Sequence, residues 1–245
     1  MELTILGCNG PYCEIDGATA GYLVTTETGS ILLDAGSGTF ARLQKLTEPK
    51  TISAVVLSHL HHDHISDLGV FNYYLELLTK LGEFQGKMPC YCPREKGGVL
   101  PFEQLGSVYS YFDFIPVEEG RVFSIGGAEA EFKRLRHAAP DYGIRLTEKI
   151  TGKKLVYSGD TNVCDGLEWL LSDCDLWLGG APFIGGEYPP DGGHLSVEIM
   201  VELAKKYNVP TILSHLCPKH TPQQYEQAIT DERGVLARPF GFYKL

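Results

Sequence analysis

Apolar residues arrive in short runs along this chain, each bounded by Gly, Asp, Asn or Ser. Such runs, rich in Val, Ile and Leu, predict strands at 2–7, 21–26 and 30–34. Gly36-Ser37-Gly38 then precedes a predicted helix over 39–46, and a strand follows at 53–58. The stretch 67–81, rich in Leu, Phe and Tyr, reads as a helix. Further strands are expected near 89–92, 112–116, 121–125, 128–136, 142–147 and 153–158. The last part alternates: helix 164–171, strand 175–179, helix 196–206, strand 210–214 and helix 222–230. Crowded strands followed by alternation predict an α/β architecture of two facing sheets with helices on the outer faces. No repeat, low-complexity tract or linker interrupts the pattern, so one domain over 1–245 is expected.

Composition narrows the function classes. At 245 residues and 43% hydrophobic, the chain can bury one sizeable core. No run of eighteen apolar residues exists, so no membrane span is expected. Met1-Glu2-Leu3-Thr4-Ile5-Leu6 lacks a basic region and a long apolar one, and reads as a first strand rather than a signal peptide. Seven cysteines at irregular spacings form no disulfide framework, which points to a reducing cytoplasm. Cys90 and Cys92 have no second Cys or His pair nearby, so core packing is their expected role. The formal charge of −10 and the lack of a basic stripe disfavour a nucleic-acid partner. Lys133, Arg134 and Arg136 form the densest basic cluster, and it alternates as a strand does.

The chemistry concentrates in His59-Leu60-His61-His62-Asp63-His64, which directly follows the apolar run 52–58. A strand therefore ends where imidazoles and a carboxylate begin. That donor set suits zinc, which takes N and O ligands at about 2.0–2.2 Å. Other predicted strands end in the same manner, at His137, Asp160 and His215, and a loop Asp191-Gly192-Gly193 leads to His194. One histidine at a strand end is ordinarily a polar surface residue. Several of them become ligands when the strands end at one common edge.

The His-x-His-x-Asp-His stretch, the later single His, Ser158-Gly159-Asp160-Thr161 and the terminal Ser214-His215 resemble the metallo-β-lactamase fold superfamily. Gly193-His194-Leu195-Ser196 resembles the His-x-Ser/Thr element of its ribonuclease Z-like phosphodiesterase branch. The resemblance covers almost the whole chain and implies a four-layer αββα sandwich. It also implies two divalent metals, zinc or else manganese or iron. His59, His61 and His137 would hold the first, Asp63, His64 and His215 the second, and Asp160 would bridge them. A shared hydroxide would then attack phosphorus in line. Asp63 would orient that nucleophile, and His194 would stabilise the phosphorane or protonate the leaving oxygen. Asp160 stands where β-lactamases often carry Cys, which argues against a β-lactam substrate. His62 fills the variable motif position as a non-ligand, and His220 falls outside the matched positions, so surface placement is expected for it.

Branch members that process tRNA carry a long arm between the third His motif and the bridging Asp. Here His137 and Asp160 are 23 positions apart, which leaves room only for a hairpin. A small anionic phosphodiester such as a cyclic nucleotide therefore fits better than tRNA, and local metal charge would attract it. An RNA endonuclease of ribonuclease Z type and a thioester, sulfate-ester or lactone hydrolase are the alternatives. Tyr73, Tyr74, Tyr109, Tyr111 and Phe112 could stack a base, or pack in a core or dimer. The apolar region 71–81 suggests a self-association face, hence a homodimer, or packing onto its own sheet. Ser158, Thr161 and Ser214 could orient ligands or merely end strands, and Cys217 reads as a buried inert thiol. The turn Asn9-Gly10-Pro11 is expected to border the site.

Overall fold

The computed structural model describes residues 1–187 and 192–245. Two seven-stranded mixed sheets face each other. The first contains β1 (Glu2–Gly7), β2 (Gly21–Thr25), β3 (Ser30–Leu33), β4 (Ala54–Val56), β5 (Met88–Cys92), β6 (Phe112–Pro116) and β14 (Phe242–Lys244). Its order is β14-β1-β2-β3-β4-β5-β6. The second contains β7 (Val122–Ile125), β8 (Ala128–Arg134), β9 (Tyr142–Glu148), β10 (Lys154–Tyr157), β11 (Leu176–Gly180), β12 (Thr211–Ser214) and β13 (Gly234–Leu236). They run β13-β12-β11-β10-β9-β8-β7.

The two-residue period of a strand divides the apolar side chains between layers. Leu3, Ile5, Val24, Ile31, Leu33 and Val56 meet Phe132, Ile144, Leu155, Leu178 and Ile212 in the core between the sheets. The alternate positions Leu23, Leu32 and Val55 face outward, against α1 (Thr39–Leu43), α3 (Leu68–Lys80) and α4 (Phe102–Val108). On the other side Val156, Trp177 and Leu213 pack against α5 (Asp165–Leu171), α6 (Val197–Tyr207) and α7 (Pro222–Ala228). The expected αββα sandwich is the one observed.

Differences from the sequence reading lie in short or one-sided elements. α2 (His62–Ile65) is a single turn inside the histidine motif. α4 contains Gly106 and Ser107, which weaken the helical signal. β13 is three residues long, and β14 is an edge strand whose Phe242 is exposed, so neither alternates long enough to be read. The helix expected to reach residue 46 stops at Leu43, and the strand expected to reach 136 stops at Arg134. Cys90 and Cys92 lie fully buried in the outer core, where burial pushes both thiols up. On α3, Phe71, Leu75 and Leu78 are buried, while Val70, Tyr73, Leu77 and Leu81 lie along an exposed face. Among the described residues, no helix is long and apolar enough to cross a membrane.

Candidate metal centre

β3 and β4 run parallel in one sheet, as do β10, β11 and β12 in the other. β8 runs the same way as β10, because each pairs antiparallel with β9 between them. The residues just past their C-terminal ends therefore meet at one edge. His59, His61, Asp63 and His64 follow β4, His137 follows β8, Asp160 follows β10 and His215 follows β12. His194 comes from the connection between β11 and α6.

Three imidazoles converge first. His59 Nε2 lies 3.0 Å from His61 Nδ1, and His61 Nδ1 lies 3.2 Å from His137 Nε2. The far nitrogens of two of these rings are already committed. His59 Nδ1 hydrogen-bonds Ser58 Oγ at 3.1 Å and pairs with Asp141 Oδ2 at 2.9 Å, and His137 Nδ1 donates to the Gly193 carbonyl at 2.9 Å. A neutral ring that donates from one nitrogen presents a lone pair at the other. Burial holds His59 well below its ordinary value and also lowers His61, so both rings favour the neutral form. Lone pairs gathered this closely fit a cation.

The second group is Asp63, His64, Asp160 and His215. Asp160 Oδ2 lies 3.2 Å from His215 Nε2 and 3.4 Å from His64 Nε2, and 4.0 Å from His59 Nε2 of the first group. Its carboxylate thus stands between the two. Asp63 Oδ2 pairs with His215 Nε2 at 3.0 Å. Burial opposes ionisation of Asp160, but His215 and His64 outweigh it and hold the carboxyl well below the usual range. Asp63, likewise opposed by burial, is drawn down to about 2 by the hydrogen bond from His215. His64 Nε2 and Asp160 Oδ1 are buried without a hydrogen-bond partner among the described residues. Burying such atoms is costly unless something pairs with them, and a metal ion fits both.

All seven residues expected to be ligands are thus brought together, and the first two groups each have the donors to hold an ion. His62 is exposed and belongs to neither. His194 Nδ1 stands 3.8 Å from Asp160 Oδ2, and burial pushes the ring down to about 4 despite Asp160. The pocket above these groups has a volume of about 350 Å3. Its apolar wall is Pro11, Ala138, Pro182 and Phe183, so the Asn9-Gly10-Pro11 turn does border it. Asp191 of the expected loop lies outside the described residues.

The structure decides between alternatives that the sequence left open, and it overturns one expectation, for His220. None of Tyr73, Tyr74, Tyr109, Tyr111 or Phe112 lines this pocket. Tyr74, Tyr109, Tyr111 and Phe112 pack in the outer core near α3, and Tyr73 is exposed. Among the described residues, Phe183 is the phenyl ring in the pocket, edge-on to His194 at 5.9 Å, and no sequence signal distinguished it. Ser158 Oγ accepts from Trp177, Ser214 Oγ bonds Tyr22, and Thr161 Oγ1 donates to the Asn162 carbonyl, so their hydroxyls serve packing rather than ligand rings. Ring orientation falls instead to Asp34 and Asp141, both fully buried. Asp34 Oδ2 accepts from His64 Nδ1 at 2.6 Å, and also from Ser58 and Tyr157. Asp34 closes the strand expected over 30–34 and Asp141 precedes the one expected over 142–147, so the strand-end rule applied to Asp160 set neither apart. Cys217 is buried as expected. His220 is not a surface residue: its side chain is 6% exposed and pairs with Glu187 at 2.7 Å.

Residues 30–216 match the family model of the Beta-lactamase superfamily domain. The chain belongs to that superfamily. Within it, the chain is 26% identical over 217 residues to the probable metallo-hydrolase YhfI of Bacillus subtilis, covering 88% of this chain and 87% of YhfI. The crystal structure of YhfI superposes with a TM-score of 0.87 at 22% identity, over 99% of this chain and 98% of that one. Ribonuclease Z of Chlamydia pneumoniae is 29% identical over 193 residues, 74% of this chain and 60% of that protein. A diphosphatase of the PhnP family shares the fold at a TM-score of 0.77 and 19% identity, over 100% and 97% of the two chains. The superfamily member described here is thus placed among metallo-hydrolases, with His/Asp clusters able to bind metal ions.

Proposed function

We propose that this protein is a dinuclear metal-dependent phosphodiesterase acting on a small phosphodiester such as a cyclic nucleotide. The observation that carries this reading is the position of the Asp160 carboxylate between two convergent donor groups, on the floor of an open pocket. His59, His61 and His137 would hold one divalent ion, Asp63, His64 and His215 the other, and Asp160 both. Zinc suits these donors, as do manganese and iron. When bound, such a pair supplies Lewis acidity and brings the pKa of water near neutrality.

The chain's own residues account for the remaining steps. Asp63 is held ionised and faces the pocket, so its carboxylate is an acceptor for the proton of an attacking water. His194 faces the same space and is the donor to the leaving oxygen. Pro11, Pro182 and Phe183 exclude water around the reacting phosphorus and offer an apolar surface to the rest of the substrate.

Size and charge support a small substrate. About 350 Å3 is at the lower end of the usual range for ligand pockets. No Lys or Arg is among the described residues lining it, and the chain carries a net charge of −10. Between His137 and Asp160 lies the β9–β10 hairpin, with no arm to grip tRNA. The exposed stripe Val70, Tyr73, Leu77 and Leu81 supports pairing of two copies, and elution at monomer mass in gel filtration would remove that part of the reading.

The test is turnover by metal-analysed protein of bis(p-nitrophenyl) phosphate, a short RNA, and 2′,3′- and 3′,5′-cyclic nucleotides. Cleavage of the aryl diester and a cyclic nucleotide with RNA intact is expected. Cut RNA with intact cyclic nucleotides would favour a ribonuclease Z-type activity. Two bound metals without any diester hydrolysis would redirect the search to thioesters, sulfate esters and lactones.

A further inference from the structure

The connection between β11 and α6 supplies Pro182, Phe183 and His194 to the pocket. Its ends are tied down near the metal centre. Gly193 offers its carbonyl to His137, and Phe183 bridges to Ser196, whose side chain caps α6 by accepting from the Ile199 amide. Contacts from the chain that follows β12 reach this connection at Pro182 and Glu187. Tyr225 is 2% exposed, and its hydroxyl donates to the Pro182 carbonyl at 2.6 Å while accepting from the Cys217 amide at 2.8 Å. The His220 ring stands edge-on to Tyr225 at 5.7 Å and 90°, and its Nε2 pairs with Glu187 Oε2 at 2.7 Å. Thr221 and Gln224 form a capping box that fixes the start of α7 directly after His220.

We propose that His220 is a positioning residue for the reaction, acting through Glu187 and Tyr225 on the connection that carries Phe183 and His194. The reasoning is mechanical. His215 and His220 belong to one short segment, which is pinned at Cys217 by Tyr225 and at His220 by its own backbone bond to the Cys217 carbonyl. The Glu187 carboxylate meets that segment from the opposite connection, so the Pro182–Glu187 stretch that bears Phe183 is referenced to the strand end that bears a metal ligand. Glu187 is 39% exposed, and an exposed carboxylate gains little from an ion pair as such. The ring, at 6% exposed, is packed where its geometry is restricted. The contact therefore contributes alignment, which catalysis needs to within fractions of an ångström.

The proposal rests on the phosphodiesterase reading for its kinetic consequences but not for its structural one. The variants are His220→Ala, His220→Gln and Glu187→Gln, each loaded with metal. Hydrogen–deuterium exchange is followed in 181–187 and 192–196, together with metal content and kinetics. His220→Ala is expected to keep its metals and to exchange faster in those two segments. It should lower kcat about 10–100-fold for a cyclic nucleotide, whose leaving alkoxide needs a proton. On bis(p-nitrophenyl) phosphate, whose phenolate leaves without one, the loss should be much smaller. His220→Gln, whose amide keeps a polar end beside Glu187, should recover part of both effects, and Glu187→Gln should fall between. Unchanged exchange in His220→Ala would overturn the proposal, as would metal loss with equal losses on both substrates. If the unmodified protein hydrolyses no diester, the phosphodiesterase reading fails while the exchange data still decide the clamp.

Discussion

Asp34 Oδ2 accepts a hydrogen bond from His64 Nδ1 at 2.6 Å, and both side chains are fully buried. Asp34 sits at the end of β3 with a left-handed backbone, φ 55, and His215 at the end of β12 has φ 54. Such a backbone costs a non-glycine residue about 1–3 kcal/mol and persists where surrounding contacts over-determine it. The Asp34 carboxylate also holds Ser58 and Tyr157, so it ties β3, β4 and β10 to one metal-site ring. Asp34→Ala should weaken metal binding about 10–100-fold in competition with a chelator. Tyr157→Phe, which leaves the other Asp34 contacts in place, should weaken it much less.

Asp160 and His194 should separate cleanly. Asp160 stands between the two donor groups, so Asp160→Ala is expected to release at least one ion per chain by elemental analysis. His194→Ala should keep both ions and lose most turnover, about 100-fold or more, the usual contribution of a positioned acid or base. Loss of metal from His194→Ala would make it a ligand, a role open to it as a neighbour of His137 and Asp160.

Gly10 approaches the His215 ring so closely that a Cβ there would fall 2.2 Å from Nε2. The ring cannot retreat freely, because it stacks against His64 at 5.2 Å and His194 at 5.7 Å. Gly10→Ala should therefore push His215 away from Asp63 and Asp160. The expected result is a protein holding about one ion per chain, with diester turnover lost accordingly.

Asp175 supplies the pH dependence. Its carboxylate accepts from Lys153 Nζ at 2.9 Å and from the Lys154 amide at 2.8 Å, where β10 and β11 begin side by side. Burial is the largest single influence and raises its value, but the hydrogen bonds and charges of Lys153 and Lys154 together outweigh it and hold the carboxyl below the ordinary one. A depressed folded value contributes stability above the unfolded value, about 3.9, and the contribution is lost as pH falls through the folded value. Asp175→Asn should thus cost about 0.5 kcal/mol in urea unfolding of the metal-free protein at pH 7, in the range for exposed pairs. The difference from the unmodified protein should close on acidification to pH 3 and below. An equal difference at both values would show that the charge contributes nothing.

Much of the fold is legible in the apolar runs because both sheets are covered on both faces. Leu32 and Leu33, or Val156 and Tyr157, are buried on opposite sides of one strand, so the whole run is apolar and easily seen. β14 escapes because only one of its edges pairs and its side chains are partly solvated. The donor residues were legible for a local reason: each follows a strand directly, and His59 to His64 are contiguous.

The sequence by itself determined the layered α/β class and the set of residues able to hold metal, since strand period and donor chemistry are local properties. Only the tertiary structure decided that Asp34 and Asp141 orient the rings, that Phe183 rather than the tyrosines lines the pocket, and that His220 is enclosed against Glu187. Those are contacts between segments far apart in the chain, such as Asp34 with Tyr157 or His220 with Glu187. No local pattern encodes them, because they exist only once the two sheets have packed and their strand ends share an edge.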